Sequence, residues 1–101
     1  MEKNDAKKKF LEFVYSMMNA AFMQMGKTVN PITGKTEKDL PGAKSTIDLL
    51  EMFEAKTKGN LDNDEEKFLR DTLTMLRLNY VEEVKTEESK PKEQEAKTNG
   101  K

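Results

Sequence analysis

The sequence predicts an all-α protein, a three-helix domain in which a long first helix packs on an antiparallel helical hairpin, followed by a disordered charged C-terminal tail. Three observations carry this. Apolar residues recur at steps of three and four in three separate stretches. Helix-breaking Gly and Pro residues fall between those stretches and not within them. Hydrophobic residues then all but stop: after Val84 only Ala96 is hydrophobic, among 5 Lys and 4 Glu.

The first helix is expected over residues 5–26. Phe10, Phe13, Val14, Met17, Met18, Ala21, Phe22 and Met25 follow helical spacing. Leu11, Tyr15 and Ala20 widen the arc to about 220°, where a one-sided surface helix needs little more than about 100°. Asp5 is the expected N-cap, because its carboxylate can accept backbone N–H bonds. Gly26 is the expected stop. Residues 26–40 read as a loop: Asn30-Pro31 starts a turn and Thr33-Gly34 supplies a second bend. Val29 and Ile32 are placed to anchor that loop on the core.

The second helix is expected over 41–58. Pro41 is tolerated in a first turn, where its missing N–H has no partner to lose. Ala43, Ile47, Leu50 and Phe53 form one face, Leu49 widens it, and Met52 sits off it. Gly59 ends it. The third helix is expected over 62–84. Asp62-x-x-Glu65 is an acidic capping box. Leu69, Leu73, Leu76 and Tyr80 make the inner face, flanked by Phe68, Thr72 and Met75. The short connection Gly59–Leu61 makes the last two helices an antiparallel hairpin. One domain over 1–84 and a disordered tail over 85–101 follow, because the tail has too little apolar surface to offset its ordering entropy.

Composition excludes more than it assigns. The chain has 101 residues with no Cys, His or Trp. Disulfides, thiolate nucleophiles and the usual structural zinc sites are ruled out. So are Ser-His-Asp catalysis and His-based metal sites. With 18 Lys+Arg against 19 Asp+Glu, there is no basic excess to displace counterions from nucleic acid, so nucleic acid is not an expected partner. Lys7–Lys9 before Phe10–Met25 superficially resembles a signal peptide. Glu12 inside the apolar run argues against one, and a cytoplasmic protein is expected.

Several motifs have plainer explanations. Gly26-Lys27-Thr28 and Gly34-Lys35-Thr36 spell the end of a phosphate loop, but Ala21 and Val29 stand where its first Gly belongs. Asn60, Asp62, Asp64 and Asp71 match four positions of a calcium loop, but Glu65 replaces the turn Gly. Helix capping explains them. Asp48, Glu51 and Glu54, with Lys44 and Lys58 nearby, read as a solvated face. No catalytic, cofactor-binding or metal-ligating set emerges.

The ordered set Asn30-Pro31-x-Thr33-Gly34, Asp39-Leu40-x-x-Ala43-Lys44-x-x-Ile47-Asp48-Leu49-Leu50, Lys56-Thr57-Lys58-Gly59-Asn60-Leu61 and Leu76-Arg77-Leu78-x-Tyr80-Val81 resembles a small bacterial family known as domain of unknown function 1844. The resemblance spans about residues 10–82. Asp62 stands where that family leads one to expect Thr or Ser, which leaves the capping role unchanged. The resemblance implies a short, helical, bacterial, cytosolic protein, and it carries no activity, cofactor or catalytic residue to transfer.

The expected function is a non-enzymatic interaction module. The surplus apolar arc of the first helix offers Phe10, Phe13, Val14, Met17, Met18, Phe22 and Met25 as an interface, with Phe13, Met17 and Phe22 as central anchors. The partner is a second copy, giving a dimer, or another bacterial protein for which the chain is an adaptor. One alternative is a membrane surface, met by Lys7–Lys9 and the Phe/Met-rich helix. Another is a small ligand binder or enzyme using Tyr80, Arg77 or the carboxylates of the second helix.

Overall fold

Helix start and stop chemistry places the three elements of the computed structural model, which describes residues 1–99 and, for 90–99, the backbone only. They are α1 (Lys3–Gln24), α2 (Leu40–Thr57) and α3 (Asn63–Asn99). Among the described residues no strand forms; only isolated bridges pair Met25 with Lys38 and Asn30 with Lys35.

The start of α1 is a correction. Its N-cap is Glu2, which makes no side-chain cap bond, and Asp5 lies inside the first turn. A carboxylate there still favours the positive end of the helix dipole. Met25 is the C-cap, and Gly26 takes φ +80°, the left-handed conformation that glycine enters without steric cost. At the head of α2, Asp39 Oδ1 accepts from the Gly42 backbone N–H at 3.0 Å, and Pro41 sits in the first turn. The sequence reading missed Asp39. Gly59 follows the end of α2 with φ +86°, as its place after Lys58 led one to expect.

The capping box of α3 is reciprocal. The Glu65 N–H donates to Asp62 Oδ1 at 2.8 Å and the Asp62 N–H donates to Glu65 Oε1 at 2.9 Å. At the other end, the bounds of α3 extend past Val84 to Asn99. Lys and Glu are good helix formers, so loss of apolar periodicity did not by itself stop the helix. Of the expected tail, Gly100 and Lys101 lie outside the described residues.

Polar contacts give the directions of the helices. Lys7, near the start of α1, reaches Asp62 and Asp64 at the start of α3. Lys27, just past the end of α1, reaches Glu83 far along α3. So α1 and α3 run parallel. The Gln24 amide and the Thr46 hydroxyl hydrogen-bond at 2.7 Å, joining the end of α1 to the first half of α2. Hence α2 is antiparallel to both.

The core takes three residues from each element. Val14, Ala21 and Met25 come from α1 and its cap, Ala43, Ile47 and Leu50 from α2, and Leu69, Leu73 and Leu76 from α3. Phe10, Met17, Met18, Phe22, Phe53, Leu61, Phe68 and Tyr80 pack around them, partly buried.

Candidate interaction surface

The apolar arc of α1 is wide because it meets two helices. Its central strip, Val14, Ala21 and Met25, is fully buried within the chain. Val14 and Met25 therefore serve the protein's own core and present nothing to a partner. Phe10, Met17, Met18 and Phe22 are half-buried against that core. Only Phe13, of the seven expected interface residues, is left largely open, with 46% of its surface exposed.

Phe13 does not stand alone. Its ring centroid lies 5.1 Å from that of Phe53 on α2, tilted by 58°, and Phe10 stacks on the same ring at 5.3 Å. Spacing of four places Leu49 on the side of α2 that carries Phe53, and Met52, three residues past Leu49, lies further round toward solvent. Leu49 is 50% exposed and Met52 47%. The edge where α1 meets α2 thus presents Phe13 and Leu49 around a half-buried Phe10–Phe53 pair, and Met52 extends the exposed apolar surface outward on α2. Sequence reasoning found Phe13, but it treated Leu49 as a widening of the inner face and Met52 as a stray.

The residues of the ligand-binding alternative are brought together. Arg77, Tyr80, Asp48 and Glu51 line an open hollow of about 310 Å³ with Lys44, Ile47 and Val81. Its charged groups pair with each other: Arg77 Nε lies 2.9 Å from Glu51 and Lys44 Nζ 3.3 Å from Asp48. Glu54 lines a neighbouring hollow with Lys58, Glu66 and Arg70, which shares Glu51 with the first.

Lys7 of the basic run also has partners. The hydrogen bond to Asp64, then that to Asp62, raises the pKa of Lys7 above its ordinary value. The Asp62 carboxyl is held below the usual range first by the Glu65 N–H and then by Lys7. Asp62 therefore acts as a cap and a counter-ion, as the capping reading of the calcium-like spacing requires.

The 26–38 loop is a built structure. Asn30 accepts at its carbonyl from the Gly34 N–H at 2.7 Å and at its side chain from the Ile32 N–H at 2.8 Å. Ile32 is not an anchor on the core. It stands at the tip of this turn, 91% exposed, and Val29 is exposed beside it. At the base of the loop, Glu83 lies between Lys27 at 2.8 Å and Lys38 at 2.9 Å, and Lys38 also reaches Glu87 at 2.8 Å. No local signal in the sequence could have found this cluster, whose ion-paired members lie 45 to 56 positions apart. Gly26-Lys27-Thr28, the phosphate-loop look-alike, places its Lys in this ion-pair cluster.

A family model described as "Domain of unknown function (DUF1844)" matches residues 7–82. No curated protein and no solved structure matches the chain.

Proposed function

This chain belongs to the DUF1844 family, and from that premise we propose that it is a non-enzymatic interaction module that pairs with a second copy of itself along the edge between α1 and α2. The observation that carries this reading is the exposure of Phe13 and Leu49 on either side of Phe53, with Met52 next to Leu49, in a chain whose core is already filled by its own three helices. Large apolar side chains grouped on a surface leave an unfavourable contact with water that a partner removes. Phe13 is the anchor, because aromatic side chains seated among apolar neighbours tend to dominate interface energy. A dimer presents the same edge twice, as two-fold symmetry requires. The proposed setting is the bacterial cytoplasm. Among the described residues no helix is long and apolar enough to cross a membrane.

Sedimentation at micromolar concentration tests the proposal. The wild-type chain is expected to show the mass of two copies. Leu49→Asp with Met52→Asp is expected to weaken association by at least about thirty-fold, since two contacts near an interface centre are removed. Both sites are half-exposed within one chain, so the thermal midpoint of the separated protomer is expected to hold. A wild-type chain that sediments as one copy overturns self-association. One foreign protein recovered with it in equal amount would then favour the adaptor reading.

A second reading rests on the convergence of Arg77, Tyr80, Asp48 and Glu51 around one hollow. Pairing of its four charged groups with each other leaves Ile47, Tyr80 and Val81 to receive a small apolar ligand. Fluorescence of an apolar dye that rises with the wild type and not with Val81→Lys would favour it.

A further inference from the structure

We propose that the ion-pair cluster of Lys27, Lys38, Glu83 and Glu87 is a latch that couples the order of the 26–38 loop to the order of α3 beyond the bundle core, so that the two ends open and close as one unit. Among residues 63–89 the last fully buried residue is Leu76, and the half-buried Tyr80 lies one turn later. Beyond that turn Val84 is half-buried, and Glu83 and Glu87 reach across to the loop as ion pairs. Glu83 is the hinge pin. Its side chain is only 14% exposed and takes both lysines, one from each end of the loop. A carboxylate screened from solvent on most sides holds its counter-ions better than an open surface pair does.

The lysines are held in turn by the backbone. The Lys27 N–H donates to the Phe22 carbonyl at 2.9 Å, and the Asp39 N–H donates to the Gln24 carbonyl at 2.7 Å. The stem of Lys38 lies over Gly26: a Cβ added there would sit 3.2 Å from Lys38 Cγ. Thus the end of α1, both ends of the loop and the turn of α3 around Glu83 meet at one point. Lys27 first, then Lys38, hold the Glu83 carboxyl below its ordinary range, and Glu83 with Glu87 raises the Lys38 ammonium. Coupling of this kind is reciprocal. Whatever steadies the C-terminal stretch of α3 also steadies the loop that holds Ile32 out in solvent, and the reverse is equally true.

Hydrogen exchange on the full chain tests the latch. Glu83→Gln keeps the shape and removes the charge. Exchange is expected to rise about ten-fold or more at the loop-end amides Lys27 and Asp39 and, together with them, at residues 85–88. The core amides Leu50 and Leu73 are expected to stay protected. Lys27→Gln breaks one of the two Glu83 pairs and is expected to give a smaller rise at both ends. Faster exchange at one end alone overturns the coupling, as does no change at either. A rise that includes Leu50 and Leu73 also overturns it, because the cluster would then belong to the global unfolding unit.

Discussion

Asp62 does two jobs with one carboxylate. It accepts the Glu65 N–H at 2.8 Å and lies 3.3 Å from the Lys7 ammonium. The cap is the stronger contribution, because Lys7 and Asp62 are solvated at the surface and such pairs contribute little. Asp62→Ala is expected to lower the urea midpoint, as loss of an N-cap does. Asp62→Ser keeps a capping oxygen and loses only the charge, so it is expected to recover most of that loss. Urea unfolding of both variants separates the two roles, and equal losses would assign the effect to Lys7. Gly26 gives a second case. Its φ of +80° and its closeness to Lys38 Cγ both oppose a side chain. Gly26→Ala is expected to cost about 1 kcal/mol or more, and Gly59→Ala less, since Gly59 shares the positive φ but opens onto space. The two residues look alike in sequence; only the neighbour across the loop distinguishes them.

At the scale of the helix, the inner faces of α2 and α3 were legible because spacing reports burial when a helix has one covered side. Ala43, Ile47 and Leu50, then Leu69, Leu73 and Leu76, are the expected faces and the observed core. Leu73→Ala is expected to cost about 2–5 kcal/mol through lost transfer energy and a residual cavity. Leu78→Ala, two turns of thought away but only five residues on, lies on the exposed side of α3 and is expected to stay within about 0.5 kcal/mol. Denaturant midpoints of the two variants check the face assignment directly. For α1 spacing was a weaker guide. Its arc of about 220° was read as surplus for a partner, whereas α2 and α3 between them cover most of it. A helix that touches two neighbours needs two faces, and periodicity does not say whose neighbours they are.

Among the described residues, the carboxylate–lysine pairs that join different parts of the chain gather at two places, where α1 begins beside α3 and where the loop meets α3, while Lys44–Asp48 and Lys67–Asp71 lie within single helices. Their titration sets the pH profile. Glu83, Asp62 and Asp71 are held below their ordinary values. Groups depressed in the fold contribute stability above the unfolded pKa and lose it as pH falls through the folded value. Lys38 and Lys7 are raised. Their contribution is complete below the ordinary lysine value and is lost as pH climbs through the raised one. Stability is therefore expected to be flat from about pH 6 to 9, to fall in acid below the ordinary carboxyl values of 4.5 and 3.8, and to fall again above 10.5. The acid limb is expected to be shallower in Glu83→Gln. Urea midpoints across this range test it; an acid limb unchanged in that variant would place the acid-sensitive group elsewhere.

Read alone, the sequence determined the fold class, the number and order of helices, the hairpin, the cap at Asp62 and the stops at Gly26 and Gly59. Each of these rests on residues within about four positions of one another, the reach of a helical hydrogen bond or a turn. Tertiary structure decided the rest. It made α1 parallel to α3, took Val14 and Met25 out of the candidate interface, put Phe13 against Phe53 on the side of α2 that carries Leu49, and tied Lys27 and Lys38 to Glu83. Those outcomes depend on which faces meet across tens of residues of chain, and a face becomes surface or core only when another element covers it.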